Sequence, residues 1–476
     1  MHYLVDLLRD SSSYPGWWSL LMLASQLLAL ATAPSVLLQR QGRPRAALSW
    51  LLALFALPAL GVFFWWAFGR TSFTRRRRLR RAGSSRRFVE RHGPPHSEPG
   101  TPFDGLLPPR ALGESMFPSH GNRIELLLDG ERAFVELEAL IRSARTRVHV
   151  MFYIYRDDAT GQRIARALSE RARAGVNVRV LVDAWASREF LRSPAAELRA
   201  AGVAVAGFLP ARHLPLTAPR LNFSNHRKLV VVDGEHAITG GMNVGDEYAR
   251  DWRDLMVHLE GPSVLALDHV FLDDWAFATG EDVDHPEHSE GPARGPAAAA
   301  IVASGPDRES FLHDAYFVLF TRATRRIWIV TPYFIPGDAI ATALRTAAGR
   351  GVDVRVLVPQ RSDVRIVKHA SRSYYSSLLA GGVRIYEYQG PMLHAKAFLV
   401  DDAISSVGSA NVDTRSFLLS FEIGCLVHDA DTAAELSRWY SGLLADSHEV
   451  TLEESTHRPA SERLLQSAAH LLSPLL

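Results

Sequence analysis

HRKLVVVDGEHAITGGMN, residues 226–243, is echoed later in the chain by HAKAFLVDDAISSVGSAN, residues 394–411. Laid over one another, the two stretches keep their key polar residues and glycines 168 positions apart: His226/His394, Lys228/Lys396, Asp233/Asp401, Gly240/Gly408 and Asn243/Asn411. Asp254 and Glu422, eleven residues further on, keep the same separation. A repeat of that length is one structural unit used twice. Two copies that each hold half a site face one another across a pseudo-twofold axis, as in an isologous dimer.

Within each copy the spacing reads as strand. Side chains at i and i+2 share a strand face, so His226 points with Lys228 and His394 with Lys396. After an apolar run and a turn, a partner strand returns Asn243 or Asn411 beside them. Upstream, Arg147–Tyr155 and Val176–Asp183 are apolar strand candidates around a helix at Gly161–Ala174. Arg326–Phe334, a helix from Ile340 to Gly349, and Val352–Val358 repeat that order. Alternation of this kind predicts an α/β fold, here two duplicated α/β domains forming a pseudo-dimer, at residues 121–285 and 296–476. EDVDHPEHSEGPARGP (281–296), rich in Pro, Gly and charge, reads as the boundary between them; His285 and His288 there read as loop residues, not metal ligands.

Lysine is scarce enough to be informative. It occurs only at Lys228, Lys368 and Lys396 among 53 basic residues, and two of the three stand in His-x-Lys. An ammonium and a guanidinium are not interchangeable, so those two positions point to chemistry that arginine does not supply. Two ammonium groups with two amide donors, from Asn243 and Asn411, make a pocket for an oxyanion with several oxygens, a phosphate diester before a carboxylate. One imidazole can then attack phosphorus while the other protonates the departing alcohol. The two histidines must differ in protonation at one pH, and Asp254 and Glu422 provide the means by each accepting a hydrogen bond from one imidazole. Asp233 and Asp401 belong to the motif and are counted with its catalytic residues, though five residues past the lysine on a strand they rank below that pair, since a turn-stabilising role would also explain them. Lys368, in VKHASRSYY, has no assigned role. The single cysteine, Cys425, excludes a disulfide framework and a thiolate metal cage and reads as a buried small apolar residue.

The N-terminus has a different composition. Trp17–Leu38 carries no charge over 22 residues and Ala46–Phe68 none over 23, each about the length that crosses a bilayer core. Trp17, Trp18, Trp50, Trp65 and Trp66 lie towards the ends of these stretches, where amphipathic rings favour the interface. The expectation is a two-helix transmembrane hairpin over residues 1–70. A cleaved leader fits less well, since a second apolar stretch follows at once. Arg70–Arg87 then carries nine arginines and no acid, opening a basic juxtamembrane linker at 71–120. By the positive-inside rule this places all later residues in the cytoplasm, and the run also suits anionic headgroups.

On these residues the chain resembles the phospholipase D superfamily, marked by paired His-x-Lys-x4-Asp motifs followed by Gly-x-x-Asn. Within it, NHRKLVVVDG…GGMN, MLHAKAFLVDD…GSANVDTRSF and the N-terminal hairpin are similar to the bacterial cardiolipin synthases. The resemblance implies a membrane phosphatidyltransferase that converts two phosphatidylglycerol molecules into cardiolipin and glycerol through a phosphohistidine, with no metal or other cofactor. It implies His226 as nucleophile, His394 as general acid and then base, and Lys228, Lys396, Asn243 and Asn411 on the phosphoryl oxygens. One departure is Ser420, where the family often has Asn. A phospholipase D hydrolase would use water in place of the second lipid, and a superfamily nuclease would gain nothing from a membrane anchor, so nucleic acid is not the expected partner. The HLLSPLL ending fits a membrane-lying amphipathic segment or a core helix equally.

Overall fold

The computed structural model describes residues 16–41, 44–69, 99–108, 111, 115–209, 223–281, 283, 292–307, 310–471 and 473. The arginine run, His285, His288 and most of HLLSPLL lie outside them. The described residues form two compact units, one holding the N-terminal apolar stretches and the other holding both α/β halves.

In the N-terminal unit, helix α1 (Gly16–Gln39) is long and apolar enough to cross a membrane. The second stretch departs from expectation, because it is not one helix. It forms α2 (Pro44–Ala56), breaks at Leu57, and resumes as α3 (Pro58–Phe64), which ends in a π-turn at Trp65–Gly69. Proline pushes the residue before it out of the helical region, and Leu57 sits at φ −135°, ψ 70°. The chain then doubles back: a Cβ on Gly61 would fall 2.5 Å from the Ala53 carbonyl oxygen and 2.8 Å from the Leu54 Cα. Trp65, expected near the interface, is fully buried and packs edge-on against Trp50 at 5.3 Å.

In the second unit, one sixteen-stranded sheet of the described residues runs through both halves. The expected elements are present: strands Arg147–Phe152, Asn177–Asp183, Arg326–Val330 and Asp353–Pro359, with helices Ala159–Arg173 and Gly337–Gly349 between them. In each half the first two strands pair in parallel, as a helical crossover requires. Strand Met116–Leu127, which begins ahead of the expected boundary at 121, pairs antiparallel with Ala297–Ser304 of the second half. That ladder is the centre of the pseudo-twofold, and strand order runs outward from it in the same sequence on both sides, with Ser447–Val450 an additional edge strand in the second half. The two halves therefore share a continuous sheet, with separate cores packed around Phe134, Ile164 and Val180 in one and Leu312, Ile340 and Val356 in the other.

Candidate active site

Each His-x-Lys enters a short strand, Leu229–Val232 or Ala397–Val400, whose hairpin partner is His236–Gly240 or Ile404–Gly408. Glycine at the end of that partner is a steric requirement: a Cβ at Gly240 would lie 2.6 Å from the Leu255 carbonyl oxygen, and one at Gly408 would lie 2.4 Å from that of Ile423. The close approach brings the strands that carry Asp254 and Glu422 against the motif.

The halves are laced together crosswise. The His226 N–H donates to the Phe421 carbonyl at 2.8 Å, and the His394 N–H donates to the Arg253 carbonyl at 2.7 Å. Each histidine is thus strapped to the residue just before the other half's carboxylate. His394 Nδ1 lies 2.7 Å from Asp254 Oδ2, and His226 Nδ1 lies 3.2 Å from Glu422 Oε1 but out of line for a formed hydrogen bond. His394 thus makes a hydrogen bond with Asp254 while His226 only lies beside Glu422, and in both pairs the partners come from opposite halves. Ser420, the departure from the resembled pattern, meets Ser224 across the same seam at 3.1 Å.

The two carboxylates have unlike surroundings. Burial alone would raise Asp254, but Lys396 and the hydrogen bond from His394 outweigh it and hold its carboxyl below the usual range. Burial pushes Glu422 up to about 7, against the pull of Lys228. Residue 241 and its counterpart 409 also differ, though the Ser409 hydrogen bond draws Glu422 down against its burial. A Cβ at Gly241 would lie 2.1 Å from Asp254 Oδ1, so glycine leaves that carboxylate room, whereas the Ser409 hydroxyl donates to Glu422 Oε2.

All four cationic groups of the motif are desolvated. Burial and the neighbouring Lys228 lower His226 well below its ordinary value, and burial and Lys396 bring His394 down to about 4. Burial likewise lowers Lys228 to about 7 and Lys396 to about 8. Lys228 donates to the His226 carbonyl at 2.6 Å, and Lys396 lies against the His394 ring. Asn243 is buried, accepting from the Ile154 N–H at 3.0 Å and donating to the Tyr248 hydroxyl at 2.9 Å. Asn411 is buried in the second half, with its N–H directed to Ser416 Oγ.

Asp233 and Asp401 do not join this cluster. Each ends the strand that the lysine begins, five residues or about 16 Å away. They take left-handed backbone at φ 55° and 53°, and their carboxylates collect N–H groups: Arg145, Thr146 and Arg147 for Asp233, and Thr324, Arg325 and Arg326 for Asp401. Their place in the motif is that of turn anchors. Lys368 sits on helix Arg365–Arg372, lowered by burial and by Arg372. That helix packs against the C-terminal helix Ala460–Leu471 through Val367, Ala370 and Ala469, while Leu464, Leu465 and Leu471 stay exposed.

The structure adds residues the repeat did not reveal. Tyr153 packs tilted against His226 at 4.2 Å and lies under Lys228 Nζ at 5.4 Å; Trp252 and Tyr248 flank His394 at 5.0 and 5.5 Å. Tyr153 directly follows Arg147–Phe152, a strand of a parallel pair, and that position is the one sequence cue for it. Arg227 is almost fully buried and binds Asp274 Oδ2 at 2.6 Å, the Ser304 carbonyl at 2.9 Å and the Glu422 carbonyl at 3.1 Å. Among the described residues, His236, His258 and Glu260 could hold a metal ion, but they lie at the turn end of their strands, and Arg123 engages Glu260 at 3.1 Å.

A family described as "Cardiolipin synthase, PLD-like domain" matches residues 137–275 and 316–444, and one described as "Phospholipase_D-nuclease N-terminal" matches 27–70. A cardiolipin synthase of Geobacillus kaustophilus is 36% identical over 91% of this chain and 89% of its own length. One from Alkalihalophilus pseudofirmus is 37% identical with the same coverage. Among solved structures, phosphatidylserine synthase of Haemophilus influenzae matches at a TM-score of 0.58 and 15% identity, covering 74% of this chain and 95% of that one; this likeness is one of fold.

Proposed function

The chain belongs to the cardiolipin synthase family of phospholipase D-like phosphatidyltransferases, and from that premise we propose that it joins two phosphatidylglycerol molecules into cardiolipin, releasing glycerol. The crossed pairing of His394 with Asp254 and His226 with Glu422 carries the residue roles. His226 is kept neutral by burial, as an attacking imidazole must be. His394 faces the ionised carboxylate, which can hold an imidazolium.

In the first step His226 Nε2 attacks phosphorus. The phosphorus–oxygen bond to glycerol breaks, and the departing oxygen takes a proton from His394, which the Asp254 carboxylate and the negative charge of the arriving phosphate diester raise to the imidazolium against the burial that otherwise keeps it neutral. Lys228 and Lys396 neutralise the phosphoryl oxygens, and the arriving negative charge raises both lysines again. Asn243 and Asn411 add amide donors. In the second step His394 takes the proton of a glycerol hydroxyl on the second lipid, and that oxygen displaces His226 from phosphorus. Burial of the motif favours a lipid alcohol over water, because the nucleophile needs a dry site.

The chain associates with a membrane and takes phospholipid substrates. We assign its catalytic halves, provisionally 121–285 and 296–476, to the cytoplasmic face on the strength of the arginine run, which also suits anionic lipid. The test is mass spectrometry of products from purified protein given phosphatidylglycerol alone, with chelator present. Cardiolipin plus glycerol supports the reading. Phosphatidic acid would make water the acceptor, and loss of all product on chelation would overturn the metal-free route.

A further inference from the structure

The second apolar stretch runs antiparallel to itself. Leu54 meets Gly61 and Trp50 meets Trp65, so contact pairs close symmetrically about the break at Leu57–Pro58. In one continuous helix, Leu54 and Gly61 would stand about 10 Å apart. The returning arm also lies along α1. Trp66 Nε1 donates to Thr32 Oγ1 and Trp65 Nε1 to Ser35 Oγ, both at 3.3 Å, and Arg40 Nη2 donates to the Gly69 carbonyl at 2.8 Å. The arm therefore ends level with the C-terminus of α1.

We propose that residues 44–69 form a re-entrant hairpin, entering and leaving the bilayer on one face, so that α1 is the sole crossing in this unit. The lengths agree: the 24 residues of α1 reach about 36 Å, but the 13 of α2 reach only about 20 Å of a core about 30 Å thick. The tip is apolar, with Phe55, Leu57 and Leu60 all exposed, as lipid contact requires and an aqueous loop does not. Part of its backbone is paired as lipid demands: Leu57 N–H donates to the Ala53 carbonyl, Gly61 N–H to the Leu57 carbonyl, and Pro58 has no N–H to satisfy.

Charge argues the same way. A two-span hairpin would export Arg40, Arg43 and Arg45 in its loop. The re-entrant form keeps them on the face of the Arg70–Arg87 run and exports a leader whose one arginine, Arg9, is accompanied by Asp6 and Asp10. The segments before Gly16 and after Gly69 thus emerge on opposite faces.

Single cysteines test this in a Cys425→Ala background of the full chain, at Ser12, Gln41 and Val135, labelled in spheroplasts with a membrane-impermeant maleimide. Ser12→Cys labels in intact spheroplasts, whereas Gln41→Cys and Val135→Cys label only after permeabilisation. Labelling of Gln41→Cys but not Ser12→Cys in intact spheroplasts would restore the two-span hairpin. Protection of all three would mean that nothing crosses, and labelling of Val135→Cys would reverse the orientation; each overturns the proposal. Cardiolipin measured in the same cells reports separately on the enzymatic reading.

Discussion

Replacing Asp254 with asparagine keeps the shape of the side chain and removes its charge. Asp254 is 1% exposed and lies 2.7 Å from His394 Nδ1, and its carboxyl is held ionised. A buried hydrogen bond to a charged group contributes about 1.5–3 kcal/mol. If that interaction supports the imidazolium formed in each turnover, its loss lowers kcat/KM by roughly 10- to 150-fold at about 1.4 kcal/mol per decade. Glu422→Gln is the internal control. With Glu422 raised to about 7, its carboxyl is mostly protonated at pH 6, so the amide there changes little, and the penalty grows as pH rises through 7. Asp254→Asn costs the same at pH 6 and 8. The assay is initial-rate cardiolipin formation in mixed micelles across that range, with circular dichroism to confirm folding. A folded Asp254→Asn enzyme within about threefold of the parent, or a Glu422→Gln penalty as large at pH 6 as at pH 8, would refute the division of roles.

His226→Ala and His394→Ala each abolish cardiolipin formation, but only His394→Ala leaves an enzyme that traps 32P-labelled phosphatidyl group on protein when the leaving alcohol is a good one. Arg227→Met removes the buried ion pair with Asp274 and both carbonyl contacts to the second half, and breaking a buried ion pair costs about 3–5 kcal/mol; thermal inactivation is correspondingly faster, and an unchanged inactivation rate would deny the seam role. Asp233→Ala removes a turn anchor and places alanine at positive φ, destabilising the fold by about 1–3 kcal/mol with kcat nearly unchanged. Although partial burial pushes the Asp233 carboxyl up, the N–H groups of Arg147 and its neighbours hold it below the usual range, so this contribution is present above about pH 4 and is lost as pH falls.

The repeat, the α/β order of each half and the identity of the histidines, lysines and carboxylates were all legible in the chain, because spacing within a strand is local and a 168-residue period needs no geometry to detect. Counting five residues along a strand ranked Asp233 and Asp401 lower but left them among the catalytic residues; their turn contacts appear only in the structure. What spacing does not contain is register between distant strands. The sheet, by pairing Met116–Leu127 with Ala297–Ser304 and strapping His226 to Phe421, decided that each histidine takes its carboxylate from the other half. The same seam buries Arg227, which in sequence is one more arginine among fifty. At the N-terminus, composition established two apolar stretches of spanning length. That the second one folds back on itself was decided by Pro58 and Gly61: a break in the hydrogen-bond ladder and a side-chain-free contact let the helix return, and hydropathy, which sums over residues without regard to direction, does not distinguish a helix that continues from one that returns.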